Sequence, residues 1–280
     1  MRIDLHTHSV ASDGTETPGE VVGAAARAGL DVVALTDHDT TVGWAEAATA
    51  GKATGVTVVR GVEMSCRSGG RSLHLLAYLP DPHDAGLSAE AAAIRSARHS
   101  RARSIVDLLA VDYPLTWQDV LEQTGPGTTV GRPHIADALV ARGHVPDRSA
   151  AFSSLLATGG RYYVPHYATP VLQAIGLVRA AGGVPVLAHP GAQGRDRPVS
   201  DRELEDMVGA GLVGLEVHHR DNPPDQVERL TAAANRWGLL VTGSSDYHGT
   251  GKPNRLGEHT TSPAVFEQIE ALGRTEVVRP

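Results

Sequence analysis

Short apolar runs alternate with helix-like segments along most of the chain. The runs have the length and the β-branched content of buried strands. They lie at residues 2–5, 32–36, 56–59, 73–79, 184–188, 213–217 and 239–242. Helix start signals stand between them, such as Thr17-Pro18 before Glu20, and Ser200 before Glu203. This alternation predicts parallel βα units, as in an α/β barrel.

A long interval separates the fourth apolar run from the fifth. Within it, residues 89–109 have the pattern of a long helix rich in Ala and Arg, and residues 132–142 and 149–156 have that of shorter helices. We therefore predict a distorted seven-stranded, TIM-like barrel that is interrupted by a mainly helical insert. The predicted parts are the barrel, residues 1–80 and 169–280, and the insert, residues 81–168.

Composition and charge narrow the class of protein. The formal net charge of −7 disfavours non-specific binding to nucleic acid or to an anionic membrane. Cys66 is the single cysteine, which excludes an intramolecular disulfide and a thiolate metal cluster. No apolar run has the length of a membrane span, and the N-terminus lacks the pattern of a signal peptide. We expect a cytoplasmic protein without a membrane partner, and nothing in the sequence implies a stable protein partner.

Histidines and carboxylates cluster near the ends of the predicted strands. In an α/β barrel the carboxyl ends of the strands meet at one face, so residues far apart in sequence come together there. His6 and His8 are two residues apart, which places both imidazoles on the same face of a strand. The other candidate ligands are Asp13, His38, Glu63, His74, His189, Asp246 and His248, and Asp37, Asp39, Glu216 and His218 lie near the same ends.

The donor types indicate a transition-metal site with several ions. Mixed imidazole and carboxylate ligands suit zinc, manganese or iron better than calcium, which prefers oxygen alone. The number of candidates exceeds one coordination sphere, and a carboxylate such as Glu63 could bridge two cations about 3.5–4 Å apart. Each motif alone has an ordinary alternative as a helix cap, a turn or a surface charge. Their repetition at successive strand ends favours the metal site.

Seven segments of the chain resemble the polymerase and histidinol phosphatase family, PHP. They are DLHTHSVASDG (4–14), ALTDHDT (34–40), GVEMS (61–65), HLLAYL (74–79), AHPG (188–191), GLEVHH (214–219) and GSSDYHG (243–249). They occur in order over essentially the whole chain. The resemblance implies a PHP-type barrel with two or three divalent cations, Mn²⁺ foremost and Zn²⁺ or Fe²⁺ as alternatives, and hydrolysis of phosphate esters.

The family motifs also imply individual roles. The implied ligand sets are His6, His8, Glu63 and Asp246 for one metal, Glu63, His74 and His189 for a second, and Asp13, His38 and His248 for a third. No ligand is missing from the motifs. His189, Asp246 and His248 are the candidate catalytic residues, and His189 is a candidate for assisting the leaving group.

Two segments of the insert are similar to one branch of the family, the nucleotide phosphatases and short-RNA exonucleases. They are GRPHIA (131–136) and GRYYVP (160–165). This branch implies removal of the 3′-phosphate from 3′,5′-bisphosphonucleotides such as pAp, and 5′-to-3′ hydrolysis of short oligoribonucleotides. Arg132, His134 and Arg161 are the candidate substrate-binding residues, since a guanidinium fork suits a second phosphate. A solvated helix face is the expectation for Arg95, Arg98, Arg101 and Arg103.

Three other functions remain as alternatives. An amidohydrolase or deaminase also begins with His-x-His but usually needs a bridging lysine, and neither Lys52 nor Lys252 lies at a predicted strand end. A small-molecule phosphatase of the histidinol-phosphate type would share the metal centre. A metal-binding module without catalysis is disfavoured by the full set of ligands.

Overall fold

The computed structural model describes residues 1–125, 127–192 and 198–280. The strands are β1 Ile3–Asp4, β2 Val32–Leu35, β3 Thr57–Ser68, β4 Arg71–Tyr78, β5 Thr169–Pro170, β6 Val184–Leu187, β7 Gly214–His218 and β8 Leu240–Gly243. The helices are α1 Pro18–Arg27, α2 Trp44–Thr54, α3 Ala85–Leu109, α4 Trp117–Leu121, α5 Arg132–Ala141, α6 Arg148–Ser153, α7 Val171–Ala180, α8 Asp201–Gly209, α9 Pro224–Trp237 and α10 Pro263–Leu272. None of the described helices has the length and apolarity needed to span a membrane.

Seven strands form a nearly closed barrel. They follow the order β1-β2-β3-β4-β6-β7-β8, and the short β5 pairs with β3 beside this path. A bridge between Thr7 and Tyr247 links the segments that follow the first and last strands. Helices α1 and α2 begin and end between the early strands, while α7, α8 and α9 accompany the late ones. The predicted seven-stranded α/β barrel is confirmed.

The prediction that all the strands are parallel is wrong for β4. This strand runs antiparallel to both of its neighbours, β3 and β6. It forms a hairpin with β3, which is longer than the predicted run and turns at Gly69 and Gly70, with φ of 54° and 82°. Only glycine adopts such angles readily. Glu63 and His74 therefore lie inside strands rather than at strand ends.

Apolar side chains cover both faces of the barrel wall. Alternate residues of β2 belong to two different hydrophobic clusters. Val32 and Ala34 belong to the first cluster, and Val33 and Leu35 belong to the second. The second of these clusters also contains residues of α1, α2, α7, α8 and α9, so it is the layer between wall and helices. Burial on both faces explains why the strands appear in the sequence as continuous apolar runs.

The insert has a hydrophobic core of its own. Residues from Ala102 to Tyr162, contributed by the second half of α3 and by α4 to α6, form this cluster. The first half of α3 packs differently, since Leu87 and Ile94 join the core of the barrel. Helix α3 thus belongs to both parts and fixes the insert relative to the barrel.

Tyr78→Phe is expected to lower the free energy of unfolding by about 1 kcal/mol, the usual net value of a buried hydrogen bond. The buried Tyr78 hydroxyl donates to the Leu5 carbonyl at 3.0 Å, and this bond ties β4 to the residue before His6. Urea unfolding curves would measure the loss. Tyr167→Phe is the control, because its half-exposed hydroxyl bonds to Glu90 at the surface. An equal loss in both variants would contradict the assigned role of Tyr78.

Candidate metal centre

The structure brings all nine predicted metal ligands together at one end of the barrel. Eight of them are buried, and His74 is only 14% exposed. They come from the segment after β1, the end of β2, the β3–β4 hairpin, the end of β6 and the loop after β8. The nine residues are His6, His8, Asp13, His38, Glu63, His74, His189, Asp246 and His248.

Four of these residues point their donor atoms at a common centre. His6 Nε2 and His8 Nε2 lie 3.0 Å apart. Glu63 Oε2 is 3.2 Å from the first nitrogen and 3.1 Å from the second. Asp246 Oδ1 lies 3.4 Å and 3.3 Å from the same two nitrogens. Two imidazoles and two carboxylates converging in this way form a four-donor site.

Glu63 lies between two groups of donors. Its Oε2 faces the four-donor site and also lies 3.3 Å from His38 Nδ1. Its Oε1 faces the other way, 2.7 Å from His74 Nδ1 and 3.3 Å from His189 Nε2. A carboxylate with one oxygen in each group is placed to bridge two cations.

Asp13 forms a third group with histidines. Its Oδ1 lies 3.2 Å from His248 Nε2, and its Oδ2 lies 3.7 Å from His38 Nε2. His8 Nδ1 is also 3.7 Å from the Asp13 carboxylate. This group adjoins the other two, because His8 and His38 also lie close to Glu63.

Partners behind the histidines orient their rings. His6 Nδ1 lies 2.9 Å from Glu216 Oε1, so Nδ1–H donates a hydrogen bond to that carboxylate and Nε2 faces the centre. His248 Nδ1 donates to the Asp246 carbonyl at 2.8 Å, with the same result for its Nε2. Glu216 also accepts from the His189 amide at 2.9 Å. The sequence placed Glu216 among the possible ligands. In the structure Glu216 contacts two of the candidate ligands, His6 and His189, on the side away from the centre.

Three other carboxylates near the strand ends hold loops and do not face the centre. Asp37 accepts from the Ser9 amide and hydroxyl and from Ser12. Asp39 accepts from the Ser65 amide and hydroxyl. The buried Asp4 accepts from two backbone amides, at 245 and 257. These contacts stabilise the loops that carry the ligands.

Three of the four described residues other than glycine with positive φ lie at or next to the centre, and the fourth is Leu79. Asp39, His189 and Asp246 have φ of 55°, 30° and 53°, in the left-handed region that residues other than glycine rarely adopt. Strain of this kind persists where the surrounding structure enforces it, and it is common at functional sites. At His189 and Asp246 it aims the side chains of two candidate ligands.

The electrostatics of the cluster fit divalent cations. Burial lowers the pKa of His38 well below its usual range, and burial together with Lys252 and His8 lowers that of His248 to about 4. Burial alone would raise the pKa of Asp13, but His248 and His38 hold it well below its usual range. His38 Nδ1 and His248 Nε2 are buried and make no hydrogen bond within the described residues. Neutral imidazoles and ionised carboxylates are the ligands that divalent cations need.

Lys252 and His219 also reach the centre, and the sequence reasoning missed both. Lys252 Nζ lies 2.8 Å from Asp246 Oδ2, and the buried His219 Nε2 lies 3.7 Å from the same oxygen. Lys252 comes from the loop after β8, away from any strand end, as the sequence indicated, yet its long side chain extends to the cluster. The second histidine of the GLEVHH segment was the available signal for His219.

The candidate substrate residues are distributed over the insert. His134 is buried, its Nδ1 accepts from the Gly131 amide at 3.1 Å, and Asp13 is near enough to act on its pKa, which burial lowers. Arg161 is 70% exposed and pairs with Asp112 at 2.8 Å. The structure thus places His134 beside the metal centre and Arg161 on the outer surface of the insert.

Three arginines of α3 are not on a solvated face, contrary to expectation. Arg98 is 12% exposed, and its Nη1 donates to the Ser65 hydroxyl at 2.7 Å. The first half of the helix packs on the barrel core, and these side chains turn toward the barrel and the insert. The other inward contacts are Arg95 to the Asp39 carbonyl, 2.6 Å, and Arg101 to the Val164 carbonyl, 2.6 Å, whereas Arg103 is exposed.

Comparisons with known proteins agree with this geometry. The family model described as "PHP domain" matches residues 4–108. A 3′,5′-nucleoside bisphosphate phosphatase of Chromobacterium violaceum is 34% identical over 99% of this chain and 98% of its own. A phosphoribosyl 1,2-cyclic phosphate 1,2-diphosphodiesterase of Eggerthella lenta is 34% identical over 88% and 94%. A 5′-3′ exoribonuclease of Haemophilus influenzae is 32% identical over 88% and 90%.

A solved structure matches almost the whole chain. It comes from Bifidobacterium adolescentis, is described as a metal-dependent phosphoesterase, and is 46% identical with a TM-score of 0.95 over 97% of this chain and 96% of its own. The buried cluster of His, Asp and Glu binds divalent metal ions. The chain belongs to the PHP family and is a metal-dependent phosphoesterase, a phosphoric ester hydrolase.

Proposed function

We propose that the protein removes the 3′-phosphate from 3′,5′-bisphosphonucleotides such as pAp, using two or three divalent cations with manganese preferred. The observation that carries this proposal is a group of cationic side chains in the insert beside the metal centre. A bisphosphonucleotide has two phosphates at a fixed separation. The centre would take the phosphate that is cleaved, and the insert would take the other.

The charges that act on His166 show which side chains form this cationic group. Burial, together with Arg101, Arg98, Arg132 and His74, lowers its pKa to about 3. Its neighbours thus include three insert arginines together with one candidate metal ligand. His166 stays neutral at physiological pH, so the positive charge in this group comes from the guanidinium groups.

The arginines are close enough to repel one another. Burial, together with Arg132 and Arg98, lowers the pKa of Arg101 to about 10. Arg132 donates to the Leu156 carbonyl at 3.2 Å, and its guanidinium lies 5.3 Å from the centre of the Phe152 ring. A bound phosphate would relieve the repulsion and accept charge-assisted hydrogen bonds from these groups.

The side chains of the centre have separable roles in this reaction. Bound divalent cations supply Lewis acidity that lowers the pKa of water and neutralises phosphoryl charge. His6, His8, Glu63 and Asp246 would hold one cation, and Glu216 keeps His6 in the required orientation. We assign His189 to the edge of the centre that faces the leaving group, where its strained backbone fixes the direction of its ring.

A panel of substrates tests the assignment. Phosphate release by the manganese-loaded protein is measured on pAp, 3′-AMP, 5′-AMP, a short 5′-phosphorylated RNA and a cyclic ribose phosphate. A preference for pAp, with 5′-AMP as product, is expected. Faster release of 5′-mononucleotides from the RNA would make short RNA the substrate, and a preference for the cyclic ester would replace the bisphosphatase assignment altogether.

Arg132→Ala is expected to raise the KM for pAp by about 10-fold or more, because a hydrogen bond to a charged group contributes about 1.5–3 kcal/mol. The KM for 3′-AMP, which lacks the second phosphate, should change little. Arg161→Ala should have a weaker effect on pAp, since Arg161 pairs with Asp112. Arg236→Ala on the exposed face of α9 serves as the control. Equal effects of Arg132→Ala on both substrates would contradict binding of a second phosphate.

A further inference from the structure

Lys252 lies at the boundary between the metal centre and solvent. Its Nζ contacts Asp246 Oδ2 at 2.8 Å, while 31% of its side chain is exposed. The other lysine of the chain, Lys52, lies exposed on α2. Lys252 is therefore the lysine that can add a mobile positive charge to the centre.

The backbone that carries Lys252 is held on both sides. Before it, the Thr250 amide donates to the Thr15 hydroxyl at 2.9 Å. After it, the Asn254 side chain donates to the Ser245 carbonyl at 2.7 Å. A fixed backbone with a four-carbon side chain allows the ammonium group to move by a few ångströms without moving the loop.

The single negative charge of Asp246 is balanced by one neighbouring positive charge, either a bound cation or the Lys252 ammonium group. Its Oδ1 faces His6 and His8 in the four-donor site, and its Oδ2 faces Lys252. When a divalent cation occupies that site, the carboxylate is neutralised through Oδ1. The ammonium group of Lys252 then lies on the other side of the same carboxylate, close to the bound cation. Two positive charges at so short a distance repel each other. An additional anion in the centre would remove this cost.

His219 can hold Asp246 when Lys252 moves. The Asp221 amide donates to His219 Nδ1 at 3.1 Å, so the ring carries its proton on Nε2. That nitrogen is buried, makes no hydrogen bond within the described part of the chain, and lies 3.7 Å from Asp246 Oδ2. A small adjustment would give Oδ2 an N–H donor from His219 in place of the ammonium group.

We propose that Lys252 is a phosphate-binding residue that leaves Asp246 Oδ2 and binds a non-bridging oxygen of the phosphoryl group being hydrolysed. A phosphate monoester brings two negative charges, and lysine binds phosphate as a compact charge with three donors. The inference rests on the phosphoesterase activity of the site and is independent of which nucleotide it cleaves.

Three variants test it: Lys252→Met removes the charge, Lys252→Arg restores it, and Lys52→Met is the control. Each is loaded with manganese and freed of excess metal by desalting. Bound metal is measured by mass spectrometry, affinity for inorganic phosphate by calorimetry, and kcat/KM with an aryl phosphate. Lys252→Met should keep its metal and its circular dichroism spectrum but bind phosphate about 10–100-fold more weakly, the usual effect of losing a charge-assisted hydrogen bond. Lys252→Arg should recover part of this loss, and Lys52→Met should match the wild type.

Two results would overturn the proposal. Unchanged phosphate affinity in Lys252→Met would exclude a contact with the phosphoryl group. Loss of metal from Lys252→Met, with normal phosphate affinity once excess manganese restores occupancy, would make Lys252 a positioning residue for Asp246 instead. Failure of pAp as a substrate would leave these measurements unaffected, because inorganic phosphate and an aryl phosphate are the probes.

Discussion

Glu63→Gln is expected to lower kcat/KM for every phosphate ester by at least about 10³-fold, because loss of a single stabilising group in an active site already costs about 10²–10³-fold. The reason is the position of Glu63 between the donor groups. One oxygen lies 3.1–3.2 Å from His6 and His8, and the other lies 2.7 Å from His74. Glutamine keeps the shape but replaces one oxygen with an NH₂ group, which cannot bind a cation.

The charge of Glu63 is as important as its shape. Burial alone would raise its pKa, but His74, His38 and His6 outweigh burial and hold the pKa well below its usual range. The carboxylate is thus ionised at neutral pH, and the amide removes that charge from the middle of the cluster. Bound manganese should fall in parallel with activity.

Asp119→Asn provides a matched control for this prediction. Asp119 is also a buried carboxylate, but it caps α4 in the insert and pairs with Arg142. The variant should keep its manganese and its activity. Glu63→Gln with full metal content and activity would contradict the bridging role, and equal losses in both variants would indicate a general effect on folding.

The sequence predicted which side chains meet at the end of the barrel because two simple geometries place them. Side chains two apart on a strand share a face, which joins His6 with His8. Closure of the barrel then brings residue 6 near residue 246, as the bridge between Thr7 and Tyr247 records. Neither step depends on how individual side chains pack.

The hairpin of β3 and β4 could not be predicted from the apolar pattern alone. Buried parallel and antiparallel strands have the same continuous pattern, and the Gly69-Gly70 turn was the signal that distinguished them. The hairpin has a direct consequence for the site. Ser65 is paired with His74, so Glu63 and His74 are diagonal neighbours on one face of the hairpin.

Long side chains were the least predictable part of the site. Lys252 and Arg98 each extend several bonds from their backbone, so their positions depend on partners that come from other elements. Helical spacing alone favoured a solvated face for Arg98, but α3 packs on the barrel core and Arg98 turns toward Ser65 of β3. Contacts of this kind follow from tertiary packing and leave no local pattern in the sequence.

Removal of the metal by a chelator is expected to abolish phosphate release, and manganese should restore it, with protons released as the metal binds. His6 Nε2 and His8 Nε2 lie 3.0 Å apart, a contact that is favourable without a cation only if one nitrogen carries a proton. Burial opposes this proton, but hydrogen bonds to Asp246 and Glu63 raise the pKa of His8 to about 9. At pH 7 the pair therefore holds at least one proton, which a cation must displace.

The sign of the pH dependence follows from this displacement. Between pH 6 and 8 each chain should release at least one proton when it takes up manganese, and metal affinity should rise with pH. Above the pKa of His8 the metal-free pair is already neutral, so the release should decline. Calorimetry in two buffers with different enthalpies of ionisation measures the number of protons directly. His8→Ala should bind less metal and release fewer protons, and uptake at pH 7 without any proton release would show that the metal does not bind through these two nitrogens.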